Sequence, residues 1–156
     1  LGLILAFGFY LRAYHVDYPV IGYHNWKEVH YLTEARNFAR DGFFAHGIFA
    51  PVLDYPNIDW DQSGAHSDTF PTLPIIVGLL FKLFGPSLWI ARMVSILFNV
   101  AGIAFMYLFA KEALDREDFA LTSAALFALA PIFTFFSHNF DVINPGVAFM
   151  AAGAYF

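Results

Sequence analysis

An all-α, polytopic membrane fold is predicted by three observations. Hydrophobic residues make up 59% of the 156 and charged residues only 13%, with a mean hydropathy of +0.57. Soluble domains carry about 25% charge, so the surrounding solvent is mostly lipid. The apolar residues gather in runs of span length instead of alternating, which selects helices. One long polar, acidic stretch, residues 15–86, follows the first run. Together these describe a transmembrane helical bundle with a long extracytoplasmic first loop that contains juxtamembrane helices. Partner classes narrow at once. There is no cysteine, hence no disulfide or thiolate zinc site, and a net charge of −5 argues against nucleic acid.

Residues 1–14 read as the trailing part of a span, too short for a cleaved signal peptide and with Arg12 wrongly placed for one. Apolar runs at both ends, opening at Leu1 and closing at Phe156, lead us to expect the N-terminal part of a larger multi-span protein. Residues 25–40 read as an amphipathic helix lying on the membrane surface. Trp26, Val29, Leu32, Ala35 and Phe38 recur at spacing three, with Lys27, Glu34, Arg40 and Asp41 elsewhere. Gly42 is its stop signal. Residues 55–71 are loop, punctuated by Pro56, Gly64 and Pro71.

Residues 73–84 offer about a dozen apolar positions, interrupted by Lys82 and ended by Gly85-Pro86. A crossing needs roughly 20, so an interfacial or re-entrant helix is expected. Residues 87–110 are long enough to span, with Arg92 and Asn99 as polar interruptions. Residues 119–136 follow, with Pro131 near the far end, and 145–156 begin the next span. The turn 111–118 holds two basic and four acidic residues. Because basic residues set orientation, it favours the cytoplasm. The loop 15–86 and the turn 138–144 then fall on the outer side.

Glu28 carries two readings. With Asn25 three residues before it, it completes a capping box; it is equally suited to act as a base at the bilayer edge. His24 and His30 stand six apart, which is not metal-ligand spacing on a helix. Asp59, Asp61, His66 and Asp68 concentrate ligand atoms in one loop and could hold Mg2+ or Mn2+, against the plainer reading of solvated acids. Asp141 and Asn144 have helix capping as their plain reading, with Pro145 suited to the first turn.

These residues resemble a known family. Lys27-Glu28-Val29-His30-Tyr31 is similar to the Asp-Glu-Val-His-Phe stretch of protein O-mannosyltransferases. His24-Asn25-Trp26-Lys27-Glu28 and Ala35-Arg36-Asn37-Phe38 are similar to His-Ser-Trp-Arg-Gln and Ala-Arg-Asn-Phe in bacterial relatives. Phe70-Pro71, Leu80-Phe81-Lys82-Leu83-Phe84-Gly85 and Ala91-Arg92 resemble the next block. The chain thus resembles the C-superfamily of membrane glycosyltransferases that use polyprenyl-phosphate sugars, the protein O-mannosyltransferase and aminoarabinose transferase-like group. Two positions depart: Lys27 stands where the mannosyltransferases have Asp, and His30 where bacterial relatives have Asp.

The resemblance implies inverting transfer of a sugar from a polyprenyl-phosphate donor to a hydroxyl acceptor on protein, lipid or glycan, on the extracytoplasmic face. It points to Glu28 and Asp68 as catalytic residues, and to His24, Lys27, His30, Arg36, Lys82 and Asp141 as substrate contacts. Asp59, Asp61 and His66 remain the metal candidates. A carboxylate would take the acceptor proton, and a metal or Lys27, Arg36 or Lys82 would stabilise the leaving phosphate. The expected setting is a bacterial or archaeal plasma membrane. Two rivals stand beside this reading: a non-catalytic scaffold of the same fold, motivated by Lys27, and a transporter or lipid flippase, which would place ionisable groups at the midplane or break its helices.

Overall fold

The structure, a computed structural model, describes residues 1–21, 25–44 and 69–156. Among these residues there are seven α-helices and no strand: α1 (Gly2–Ala13), α2 (Asn25–Asp41), α3 (Thr72–Phe84), α4 (Leu88–Leu114), α5 (Glu117–Leu129), α6 (Pro131–Ser137) and α7 (Ile143–Tyr155). They fall into two compact units, one of Leu1–Tyr18 with Arg92–Phe156, the other of Pro19–Ala91.

In the first unit, Ile103, Tyr107 and Ala110 of α4 form a core with Ala120, Ala124, Phe127 and Ala128 of α5, joined by Ile4 and Leu5 of α1. The three alanines recur every fourth residue, the small-residue spacing that lets helices approach closely in lipid. Gly8 serves the same end on α1, since a Cβ there would meet Ile103 Cδ1 at 2.9 Å. α4, with 27 residues, rises about 40 Å and exceeds the hydrocarbon thickness of about 30 Å. Among the described residues it is the one unbroken helix long and apolar enough to cross.

The predicted span at 119–136 is not one straight helix. α5 and α6 meet at Ala130-Pro131 with a 55° bend, and only the pair together has span length. Proline cannot donate the hydrogen bond that the carbonyl four residues back requires, here Phe127 O. Arg12, fully buried, takes over that duty. Its Nη2 donates to Phe127 O at 3.4 Å and its Nη1 to Ala128 O at 2.9 Å, with a further bond to Gly8 O at 3.1 Å. Thr134 Oγ1 adds a bond to Ala128 O at 3.4 Å. A second buried arginine, Arg92, donates to Val16 O at 2.9 Å and to Tyr18 O, and so fixes the turn after α1. There His15 takes a positive φ of 57°.

Asn99 is not isolated in its helix. Its Nδ2 donates to Asn144 Oδ1 at 2.5 Å, while Asn144 Nδ2 donates to Asn139 O at 3.0 Å and Phe136 O at 3.4 Å. Both amides are buried. The next helix begins at Ile143, two residues before the expected 145.

At the polar turn between α4 and α5, Glu117 receives the Tyr107 hydroxyl at 2.7 Å and Lys111 Nζ at 3.0 Å. The Tyr107 and Lys111 contacts hold the Glu117 carboxyl below its usual range, and Glu117 raises the Lys111 ammonium above its own. Arg116 and Asp118 pair beside them at 2.5 Å.

In the second unit α2 packs on α3. Tyr31, Ala35 and Phe38 of α2 and Leu73, Val77 and Phe81 of α3 are all buried. The helices touch at Gly78, where a Cβ would lie 2.9 Å from Phe38 Cβ and 3.1 Å from Ala35 O. Both helices stop as expected. Gly42 (φ 96°) donates to Phe38 O at 3.1 Å and Gly85 (φ 85°) to Phe81 O at 2.9 Å, a left-handed backbone that only glycine adopts freely. α3 has 13 residues and rises about 20 Å, short of a crossing.

The apolar positions of α2 do not share one face. Trp26 is 63% and Val29 50% exposed, whereas Glu28 and Glu34 are each 2% exposed. The reason is geometric. At 3.6 residues per turn, a row at spacing three drifts by about 60° at each step, so Trp26 and Phe38 point about 120° apart and never share a face.

Candidate functional site

α2 presents three faces, each set by the helical period. Glu28, Tyr31, Ala35 and Phe38 form a buried row, of which Ala35 and Phe38 meet α3 at Gly78. His30, Glu34 and Asn37 form a second, polar row in which Glu34 and Asn37 are also buried. His30 Nε2 lies 3.2 Å from Glu34 Oε1, without the alignment of a hydrogen bond. Trp26, Val29, Thr33, Arg36 and Arg40 form the outward row, at steps of three and four residues.

Between the outward row and the neighbouring chain lies an open groove of about 320 Å³. Val20, Val29, Leu32, Thr33 and Arg36 line one part, and Phe81, Pro86, Ser87 and Leu88 the rest. Arg36 is the one charged group among these lining residues. Thr33 spends its hydroxyl proton on Val29 O at 2.9 Å, which leaves its oxygen as an acceptor.

Glu28, Leu32 and Arg36 follow one another at steps of four, along a single line of the helix surface. A buried carboxylate and a guanidinium therefore stand one turn before and one turn after Leu32, about 12 Å apart along the axis. Such a groove can hold an elongated apolar chain that ends in an anion.

The structure sorts the predicted residues. Arg36 lines the groove, and Glu28 stands one turn from Leu32 in its wall. His30 points from another face. Lys27 lies over the Trp26 ring, 5.7 Å from its centroid, and Lys82 is exposed on α3; neither is among the groove residues. Asp141 is buried, and its Oδ1 accepts the Ile143 N–H at 3.1 Å at the start of α7, which matches the capping reading. His24, Asp59, Asp61, His66 and Asp68 lie outside the described residues. Among the described residues no three acids or histidines gather closely enough to hold a metal.

Sequence reasoning missed Glu34 as the partner of His30, although their spacing of four was readable. It also missed the Asn99–Asn144 pair and the task of Arg12, for which no local signal exists.

No curated protein and no solved structure matches the chain. A family match does extend over residues 66–156, and so takes in α3 to α7. Residues that follow the family through this stretch include both the helix pairing with α2 and the long apolar helix α4. With more than half of its length matched, the chain belongs to the dolichyl-phosphate-mannose-protein mannosyltransferase family of membrane glycosyltransferases.

Proposed function

We propose that the protein transfers a sugar from a polyprenyl-phosphate donor to a hydroxyl acceptor at the extracytoplasmic edge of the membrane, with inversion at the anomeric carbon. The observation that carries this reading is the groove beside α2: its walls are apolar, Arg36 is its charged lining group, and the buried Glu28 stands one helical turn before Leu32 of its lining. A prenyl chain fits the walls, and a guanidinium is suited to a phosphate by its fork of donors. In the reaction the acceptor oxygen attacks the anomeric carbon, its proton passes to Glu28, and the bond to the phosphate oxygen breaks. Arg36 stabilises the charge left on the phosphate.

The remaining predicted residues enter as proposals of lower order. His24, His30, Lys27, Lys82 and Asp141 are candidates for contacts to donor or acceptor, and Asp68 is the reserve base. Asp59, Asp61 and His66 are candidates for Mg2+ or Mn2+. The domain reading is likewise proposed: spans at about 1–14, 87–110, 119–136 and 145–156, with 15–86 outside, in a bacterial or archaeal plasma membrane. The break at Pro131 is a feature a transporter would share. Its buried Arg12 bonds to carbonyls of α1 and α5, which fits a structural brace.

Sugar transfer from defined polyprenyl-phosphate donors, assayed with the full-length protein, tests the reading. Glu28→Gln preserves a capping-box hydrogen bond and removes the base, so turnover should fall by about 10²–10⁴ with stability unchanged. Normal turnover in Glu28→Gln would reduce Glu28 to a cap. Absence of transfer from every donor by the folded parent would reject the activity itself.

A further inference from the structure

The helices α2 and α3 sort their charges by depth. Both glutamates of α2 are 2% exposed. The charged groups left towards the outside are Lys27, Arg36, Arg40 and Lys82, against the single acid Asp41. Asp41 is taken up by Arg40 through two bonds at 2.7 and 2.8 Å. Within a chain of net charge −5, these two helices themselves carry more cations than acids near their surface.

The same exterior is apolar. Trp26 and Val29 stand exposed on α2, and Leu79, Leu83 and Phe84 flank Lys82 on α3. An aromatic side chain beside a lysine, as in Trp26 and Lys27, suits the headgroup level of a bilayer, where one end of each group is wet and the other apolar. Large exposed apolar surface interleaved with cations marks a membrane contact of the interfacial type.

We propose that the outward face of α2, with Lys82 and its apolar neighbours on α3, is a contact surface selective for anionic phospholipids. It rests on the membrane character of the family and is independent of sugar transfer. The two glutamates of α2 are withdrawn from its surface, so on these helices a negative headgroup meets the lysines before it meets either glutamate. Lys27 and Lys82, neither of which lines the groove, hold the helix pair against phosphate-rich lipid, a role that replaces contact with donor or acceptor for these two. A basic group near an anionic leaflet contributes about a five-fold preference.

The test reconstitutes the whole protein in vesicles of mixed phosphatidylglycerol and phosphatidylcholine. One or the other lipid carries a photoactivatable group, at equal mole fraction. Adducts are mapped by mass spectrometry to α2 and, as reference, to the exposed Leu97 on α4 and Phe149 on α7. The expected result is a phosphatidylglycerol preference on α2 about two- to five-fold above the reference. It should vanish in about 1 M salt, where the screening length falls to about 3 Å. Lys27→Glu with Lys82→Glu should abolish it, and Lys27→Gln with Lys82→Gln should reduce it; the salt series on the parent protein requires no variant to fold. An equal preference on α2 and reference would overturn the proposal, as would an absence of lipid adducts on α2. Loss of the preference on α2 upon adding farnesyl phosphate would also overturn it, by assigning these cations to a prenyl-phosphate ligand.

Discussion

Replacing Arg12 by methionine removes the donors at the break between α5 and α6 while keeping an apolar chain of similar length. Three bonds disappear, at 3.1, 2.9 and 3.4 Å. They do not weigh equally. Gly8 O lies inside α1, whereas Phe127 O faces Pro131 and is left without a helical donor. An unsatisfied buried carbonyl costs about 1–3 kcal/mol. Ala128 O loses less, because Thr134 Oγ1 remains at 3.4 Å. Methionine also relieves the cost of burying a guanidinium, which offsets part of the loss. The expected net destabilisation is about 2 kcal/mol, measured by denaturant unfolding in micelles. The decisive comparison is a double-mutant cycle with Pro131→Ala. Alanine restores an N–H for Phe127 O, so Arg12→Met should cost about 1 kcal/mol less in that background. Additivity within about 0.3–0.5 kcal/mol, the behaviour of independent sites, would refute the idea that Arg12 substitutes for the missing proline donor.

Gly78→Ala should destabilise the α2–α3 pair by about 1–3 kcal/mol, because its Cβ would press on Phe38 Cβ and the Ala35 carbonyl, neither of which is a flexible chain end; faster proteolysis within α2 is the check. Asn99→Leu should cost about 0.6–1.7 kcal/mol, the range for hydrogen bonds between membrane helices, and should couple with Asn144→Leu in a thermal-unfolding cycle. Tyr107→Phe should raise the Glu117 pKa, since the Tyr107 hydroxyl is the largest influence that lowers it; carboxyl NMR titration reads this directly. Glu117 is depressed from 4.5, so its contribution is complete above that value and lost as pH falls through the lower folded value. Lys111 is raised from 10.5, so its contribution is complete below that value and lost as pH rises past the higher folded one. The turn should therefore hold between about pH 5 and pH 10 and loosen outside that window.

What could be read from sequence was local. Gly42 and Gly85 end their helices through a backbone property written in one residue, and the limits of α2 and α3 follow. Pro131 announced an interruption. It could not announce that the freed carbonyls would be met by Arg12, 115 residues away from Phe127. Asn99 read as a lone neutral group for the same reason, its partner being 45 residues further on. The apolar positions of α2 divide between two faces on different grounds. Hydrophobicity at spacing three imitates a helical stripe over two turns and winds away from it over four. Burial of Glu28 and Glu34 runs against the polarity of their side chains, which a hydrophobic pattern cannot announce. Of the candidate site residues, Arg36 lines the groove and Glu28 lies one turn from Leu32 in its wall, while the loop acids at 59, 61 and 68 stand outside the described residues.

The amide pair that joins α4 to α7 has an electrical consequence. Asn99 and Asn144 are each neutral at every accessible pH and exchange a hydrogen bond without any separation of net charge. Moving one elementary charge across a membrane potential of 100 mV changes the energy by about 2.3 kcal/mol, enough to reset a contact built from ions. A clasp of two amides feels almost none of that field. The alignment of these two helices should thus be the same in an energised cell as in a depolarised vesicle, which leaves the registry between them a matter of geometry alone.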